Sequence, residues 1–119
     1  MHLSAKISYL EYPAQDLTKT KRFFESIFNW KFTDYGSEYT AFEESAGLKG
    51  GFYRSALNSS TNNGAALTVF YCVNITEAQH KITESGGKII KALFSFPGGV
   101  RFHFSDPSGN EFAAWSEQI

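Results

Sequence analysis

The chain alternates between short stretches with the two-residue periodicity of a β-strand and longer stretches with helical periodicity. In the first half, this pattern predicts strands at 6–12, 30–35, 39–44 and 49–54, and Pro13 is expected to end the first of them. In the second half, it predicts strands at 66–73, 88–94, 100–105 and 110–115. An apolar stripe at helical spacing follows the first strand of each half, after the capping residues Asp16 and Asn74.

The order of elements is therefore strand, helix and three strands, given twice. The segment DLTKTKRFFES starts at Asp16, and NITEAQHKITE starts at Asn74, about half a chain length later. Such an internal repeat predicts the architecture more strongly than any single motif. We interpret the chain as one α+β domain, 1–119, made of a first βαβββ module (1–55), a polar linker loop (56–64) and a second module (65–119).

A marked turn lies near the end of the chain, in the segment FSDPSGNEFAAW (104–115). Pro107 suits the first corner of a tight turn, and Gly109 suits a position with positive φ. Asp106 is expected to cap this turn with its side chain. The turn predicts a hairpin between the last two strands.

The repeated βαβββ order, the opening segment EYPAQDLTKTKRFFESIFNWKF, the segment GGKIIKALF and the closing FSDPSGNEFAAW resemble the vicinal oxygen chelate superfamily. That superfamily includes glyoxalase I, extradiol dioxygenases, and bleomycin and fosfomycin resistance proteins. The resemblance extends over essentially the whole chain. It implies two βαβββ modules that form curved mixed sheets around a central cleft in which a small molecule binds.

In metal-using members, the resemblance implies four ligand positions, one on the first and one on the last strand of each module. By motif spacing these positions fall on Tyr9, Leu67 and Ala113, with the fourth near Gly51. Leu, Ala and Gly have no side-chain donor, and a neutral Tyr is a poor ligand for Zn²⁺. Shifting each position by one residue brings in no acceptable set. We therefore expect no metal site and no cofactor.

Strand alternation sorts the remaining side chains between the cleft and the core. The cleft side is expected to hold these ligand-binding residues: Tyr9, Glu11, Tyr53, Leu67, Tyr71, Arg101, Ala113 and Trp115. The opposite sides, with Leu10, Tyr12, Phe52, Phe70 and Phe112, are expected to pack under the helices. An aromatic cleft with a few polar groups suits a small organic ligand with an apolar body.

Glu11 and His103 are the candidate catalytic residues. A carboxylate in an apolar strand must be paired, lie at a wet cleft mouth, or have a raised pKa. Glu11 is accordingly interpreted either as a partner of Arg101 or mouth residue, or as a general base or anchor for a cationic ligand. His103 is either its acid–base partner or a structural histidine. The other histidines, His2 and His80, are expected at the terminus and on a solvated helix side.

Composition and charge exclude several classes of protein. The net charge is −1, and no basic cluster is present, so nucleic-acid binding is not expected. No apolar run approaches ~18 residues, so no membrane span is expected. The single cysteine, Cys72, permits no internal disulfide and favours a cytoplasmic location.

Three functions follow from these observations. The first is a metal-free binder of a small molecule, similar to drug-sequestering members of the superfamily, which often share the cleft between two chains of a homodimer. The second is a lyase or isomerase of glyoxalase type that uses Glu11, with or without His103, for acid–base chemistry. The third is an assembly or regulatory role as a dimer. Whether the chain is an enzyme is left open by its sequence.

Overall fold

A computed structural model describes all 119 residues of the chain. Two helices and eight strands are present, and they follow the repeated order that the sequence predicts. The elements of the first half are β1 (Tyr9–Ala14), α1 (Leu17–Phe28), β2 (Phe32–Asp34), β3 (Tyr39–Phe42) and β4 (Lys49–Arg54). Those of the second half are β5 (Thr68–Tyr71), α2 (Ile75–Glu84), β6 (Lys88–Phe96), β7 (Gly99–Ser105) and β8 (Glu111–Ser116).

The strands form two four-stranded mixed sheets with equivalent topology. Sheet 1 has the order β1-β4-β3-β2, and sheet 2 has the order β5-β8-β7-β6. In each sheet the first strand runs parallel to the last, and the other neighbours are antiparallel. The predicted α+β fold with two βαβββ units is thus confirmed. The two sheets remain separate and do not close into a barrel.

The helix-facing sides of both sheets, here called the back faces, share one aromatic core. Phe24 of α1 lies 5.4 Å from Phe52 of sheet 1 and 5.6 Å from Phe112 of sheet 2, between ring centroids. Tyr12 of β1 also lies 5.3 Å from Phe112 of β8. Burying each phenylalanine contributes about 1.5–3 kcal/mol, so this core holds the modules together. The opposite sides, here called the front faces, therefore point away from the common core.

Phe52 and Phe112, which strand alternation assigns to the core, are buried in the structure. Phe52, Phe102, Phe104 and Phe112 are completely or almost completely buried in the core. Since successive side chains alternate between the two sides of a strand, their neighbours Arg101 and His103 lie on the front face of sheet 2.

The first strand differs from its predicted bounds of 6–12, because it begins at Tyr9 and continues through Pro13 to Ala14. The reason is that β1 is an edge strand, where a proline does not remove a ladder hydrogen bond. Strand β5 is also shorter than predicted, so Leu67 precedes it. Strand β6 is longer, and this extension adds Ser95 and Phe96 to sheet 2.

Both helices begin where the sequence indicates. Asp16 caps α1 by accepting a hydrogen bond from the Lys19 amide at 3.0 Å, and Asn74 caps α2 by accepting from the Glu77 amide at 3.0 Å. These caps define where each helix begins after the first strand of its module.

The turn at 106–110 joins the two modules as well as the last two strands. The buried Asp106 carboxylate accepts hydrogen bonds from the Ser108 and Asn110 amides, both at 2.9 Å. The Asn110 side chain donates to the Pro13 carbonyl at 2.7 Å, and the Gln15 amide donates to the Ser108 hydroxyl at 3.0 Å. The prediction that Asp106 caps its turn is confirmed, and the turn also anchors module 2 to the end of β1.

Candidate functional site

The front face of sheet 1 carries a hydrogen-bonded group of two tyrosines and one glutamate. The Tyr39 hydroxyl donates to Glu11 Oε2 at 2.8 Å and lies 2.6 Å from the Tyr9 hydroxyl. Tyr53 lies directly opposite Tyr39 in the β3–β4 ladder. Within the chain, Glu11 is thus satisfied by Tyr39 rather than by Arg101, which was the alternative partner expected from the sequence.

Tyr39 also occupies the space in front of Gly51. A Cβ atom added at Gly51 would collide with the Tyr39 ring and hydroxyl, so only glycine permits this ring position. Partial desolvation, reinforced by the hydrogen bonds with Tyr9 and Glu11, raises the pKa of Tyr39 well above its usual value. The phenol is therefore a neutral hydrogen-bond donor at the centre of this face.

The front face of sheet 2 carries a second network, which is mostly buried. The Glu111 carboxylate accepts hydrogen bonds from the Thr61 amide at 2.9 Å, the Thr61 hydroxyl at 2.7 Å and His103 Nδ1 at 2.9 Å. On the other side of the ring, His103 Nε2 lies 2.9 Å from Arg101 Nη2. Thr61 belongs to the linker, so this segment is held against the start of β8.

The partners determine how His103 is used. A guanidinium has donors and no acceptor, so Nε2 must accept and Nδ1 must carry the proton given to Glu111. Burial opposes ionisation of Glu111, but the hydrogen bonds from His103 and Thr61 outweigh it and lower its pKa to about 2. Both ring nitrogens of His103 are therefore engaged by neighbouring side chains.

Arg101 lies against aromatic rings at the end of this network. Its guanidinium carbon is 5.7 Å from the ring centroids of both Phe94 and Phe96. The Nε atom is buried and has no hydrogen-bond partner, and none of the ion pairs in the structure includes Arg101. A pocket of about 270 Å³ opens beside it, lined by Val69, Phe96, Pro97, Gly98, Arg101 and Trp115.

The four positions implied for a divalent metal do not fit one. Tyr9 is hydrogen-bonded to Tyr39, whose ring covers Gly51. Leu67 and Ala113 have no donor atom, and Ala113 is completely buried. No group of three or more His, Cys, Asp or Glu side chains is arranged to hold a metal ion. The side chains at the four implied positions therefore do not offer a ligand set that suits Zn²⁺ or Mn²⁺.

The structure distributes the predicted site residues between the two front faces. Sheet 1 carries Tyr9, Glu11 and Tyr53, and sheet 2 carries Tyr71, Arg101, His103, Ala113 and Trp115. Tyr71 and Trp115 are in contact, with ring centroids 4.9 Å apart, whereas the half-buried Leu67 lies just before β5. Since the front faces point away from one core, the chain does not bring Glu11 and His103 together.

Several residues of these networks were missing from the predicted set. Glu111 and Tyr39 are placed on the front faces by the same strand alternation that was used for their neighbours, so that signal was available. Phe96 was missed because β6 extends beyond its predicted end. Thr61 lies in a polar loop without periodicity, and no local sequence signal connects it to Glu111.

Comparison with known proteins identifies the family. Residues 6–114 match the sequence model of the Glyoxalase/Bleomycin resistance protein/Dioxygenase superfamily. The chain therefore belongs to this superfamily, as the repeat and the closing turn indicated. No protein with a curated description matches the chain by sequence.

Solved structures share the fold at low sequence identity. FosX, a genomically encoded fosfomycin resistance protein from Listeria monocytogenes, superposes with a TM-score of 0.78 at 21% identity, covering 98% of this chain and 93% of FosX. That FosX structure contains Mn(II) and 1S,2S-dihydroxypropylphosphonic acid. A glyoxalase-related enzyme from Fulvimarina pelagi gives a TM-score of 0.76 at 15% identity, covering 93% of this chain and 87% of that enzyme.

Neither helix of the present chain is long and apolar enough to cross a membrane.

Proposed function

We propose that this chain binds a small organic molecule, without a divalent metal, in a cleft shared between two copies of the chain. In this arrangement the front face of sheet 1 from one copy covers the front face of sheet 2 from the other. The observation that carries the proposal is the pair of front faces that the helices do not cover, each lined by aromatic side chains around a polar network. Such linings are typical of small-molecule sites.

The exposure of apolar side chains on these faces supports a second copy as the cover. Tyr9 and Tyr53 on sheet 1 are 45% and 38% exposed, and Tyr71 on sheet 2 is 50% exposed. Exposed aromatic side chains gathered on the two front faces favour an interaction there. In a dimer with two-fold symmetry, sheet 1 of each copy would contact sheet 2 of the other. The two contacts are identical, so all four front faces would be buried together.

The dimer is tested by sedimentation velocity. Tyr71→Asp puts a charge into the proposed contact and is expected to convert the dimer to a monomer, whereas Tyr35→Asp, an exposed tyrosine outside both sheets, is the matched control. A wild-type protein that is monomeric at ~100 μM, or a Tyr71→Asp variant that stays dimeric, contradicts a shared cleft.

Binding and metal independence are tested together with indole, a neutral planar probe. After dialysis against EDTA, a titration followed by ¹H–¹⁵N NMR is expected to shift front-face resonances, including the Trp115 side chain. Trp115→Ala should weaken this binding, and Tyr35→Ala should not. Shifts confined to the helices, or shifts that require added Mn²⁺ or Zn²⁺, contradict the proposal.

Proton transfer at Glu11 is the second candidate, corresponding to the lyase or isomerase activity considered from the sequence. It is supported by the short Tyr9–Tyr39–Glu11 contacts, which hold the carboxylate at a fixed place on the face. His103 is less suited to be its partner, because both of its ring nitrogens are engaged. Exchange of the α-protons of dihydroxyacetone in D₂O, catalysed by wild type and lost in Glu11→Gln, would identify this activity. An unchanged rate in that variant would exclude Glu11 as the base.

The third candidate is the assembly or regulatory role as a dimer that was considered from the sequence. Failure of the indole titration together with an intact dimer would favour that role. A cytoplasmic location, expected from the single cysteine, remains a prediction that fractionation of the source cells can test.

A further inference from the structure

We infer that Arg101 is the recognition group for an organic anion, and that the ligand of the sheet 2 pocket is a small planar carboxylate. This inference deepens the proposed function, because it assigns a chemical class to the ligand and a residue that selects it. It rests on four features of Arg101: its charge, its missing partners, its aromatic support and its place at a pocket.

The positive charge of Arg101 is not paired with a carboxylate in the chain. The nearest acidic group of the network, Glu111, already accepts three hydrogen bonds, two from Thr61 and one from His103. The imidazole of His103 stands between Glu111 and Arg101. Charged side chains that are partly buried are ordinarily paired, so the half-buried and unpaired Arg101 beside a pocket indicates a partner that binds there.

The hydrogen-bonding capacity of Arg101 is also largely unused. A guanidinium has five N–H bonds in a planar fork. One nitrogen, Nη2, is used for His103, whereas Nε is buried and makes no hydrogen bond. Nη1 makes no hydrogen bond and is not buried, so Nη1 and the second N–H of Nη2 are the donors left for a ligand. They match a carboxylate, which can accept two parallel N–H···O bonds.

The surroundings fix the guanidinium and define the body of the ligand. Phe94 and Phe96 lie at equal distances of 5.7 Å from its central carbon, so the charged group is held before a ligand arrives. Phe96 and Trp115 meet edge to face, with centroids 6.0 Å apart, and form apolar walls of the same pocket. A volume of about 270 Å³ suits a ligand with one or two rings.

The test compares benzoate with benzyl alcohol, which has the same ring and no charge. Both are titrated into the ¹⁵N-labelled protein, and the Arg101 Nε–H and Trp115 Nε1–H resonances are followed by NMR. Benzoate is expected to shift both resonances and to bind at least about tenfold more tightly than benzyl alcohol, the range of a charge-assisted hydrogen bond.

Three variants sharpen the test. Arg101→Gln should weaken benzoate binding about tenfold or more and leave benzyl alcohol binding within twofold, while Arg101→Lys, which keeps the charge but not the fork, should be intermediate. Arg54→Gln is the matched control, because Arg54 is an exposed arginine on sheet 1. The amide spectrum of each variant reports whether it is folded. If Arg101→Gln does not fold, Arg101→Lys, which keeps the positive charge, provides the comparison instead.

Each outcome has a defined meaning. Equal binding of the two probes, or unchanged benzoate binding in Arg101→Gln, overturns the anion inference while the indole experiment can still uphold a small-molecule site. If Glu11→Gln shifts the Arg101 Nε–H resonance in the absence of benzoate, a carboxylate of a second copy is the partner, and the inference is overturned. No shift with benzoate, benzyl alcohol or indole overturns both proposals.

Discussion

Asn110 donates a hydrogen bond from its side chain to the carbonyl oxygen of Pro13, 2.7 Å away, and so connects residues from opposite ends of the chain. The same side chain contacts Asp106 at 3.1 Å and accepts a hydrogen bond from the Ser59 amide at 2.8 Å. Asn110 thereby ties together β1, the closing turn and the linker. This buried amide therefore contributes, together with the aromatic core, to the relative placement of the two front faces.

Replacing Asn110 by alanine is expected to lower the free energy of unfolding by about 2–4 kcal/mol, because several buried groups lose their partner at once. Urea denaturation measures the loss. Asn62→Ala, at an exposed position of the linker, is the control and should change stability by less than about 0.5 kcal/mol. An Asn110→Ala variant as stable as the control would show that the Asn110 hydrogen bonds do not contribute to holding the modules together.

Stability is expected to decrease as pH rises from about 4 to about 6, through Asp106. Burial raises its pKa from 3.8 to about 6, against the opposing hydrogen bonds from Asn110, Ser108 and Gly109. A carboxyl group with a raised pKa in the folded state favours folding when protonated, and this contribution is lost as it ionises. The loss is at most about 3 kcal/mol. Urea titrations between pH 4 and 7 measure it, and Asp106→Asn should flatten the profile in this window.

Glu111 is expected to act in the opposite direction at lower pH. Its pKa is lowered from 4.5 to about 2, so its contribution to stability is present above pH 4.5 and is lost as pH falls towards 2. Thr61→Ala removes one hydrogen bond to the carboxylate and should cost about 1–2 kcal/mol at pH 6, but much less at pH 2. Thr61→Ser keeps the hydroxyl and should behave as wild type. If Thr61→Ala lowers the free energy of unfolding equally at pH 6 and pH 2, its effect does not depend on the charge of Glu111, and the prediction is wrong.

Gly51→Ala is expected to destabilise the protein by about 1–3 kcal/mol, because the new methyl group collides with Tyr39. Tyr39→Ala makes room for it, so the double variant should be about 1 kcal/mol more stable than the sum of the single effects predicts. Gly50→Ala serves as the comparison, since its methyl group meets the Leu10 backbone carbonyl, which Tyr39→Ala does not move. Simple additivity in the Gly51 cycle would refute the proposed contact.

The sequence predicts the fold well because periodicity and the internal repeat are local signals that reinforce each other. Alternation is sufficient to place Phe102 and Phe104 in the core, and it puts Arg101 and His103 on the opposite side. The bounds of β1 were less accurate, since Pro13 breaks an interior strand but is accepted at an edge.

The candidate site was harder to predict, because its contacts join distant parts of the chain. Alternation shows that Glu11 is on the front face of sheet 1, but it does not show that Tyr39 will take its hydrogen bond. The expected pairing of Glu11 with Arg101 assumed that one chain closes its own cleft. The shared back-face core instead directs these two residues to separate surfaces.

The hydrogen bond at Pro13 also bears on how two chains can meet. Backbone N–H and C=O groups of one strand residue point to the same side, so the proline nitrogen lies on the side of β1 where Asn110 binds its carbonyl. At Pro13 the outer edge of β1 therefore has no backbone N–H to donate, and the Pro13 carbonyl already accepts from Asn110. This hinders the addition of a further strand to sheet 1 and the growth of β-fibrils along this edge. Association face to face, rather than edge to edge, is the contact that β1 leaves open.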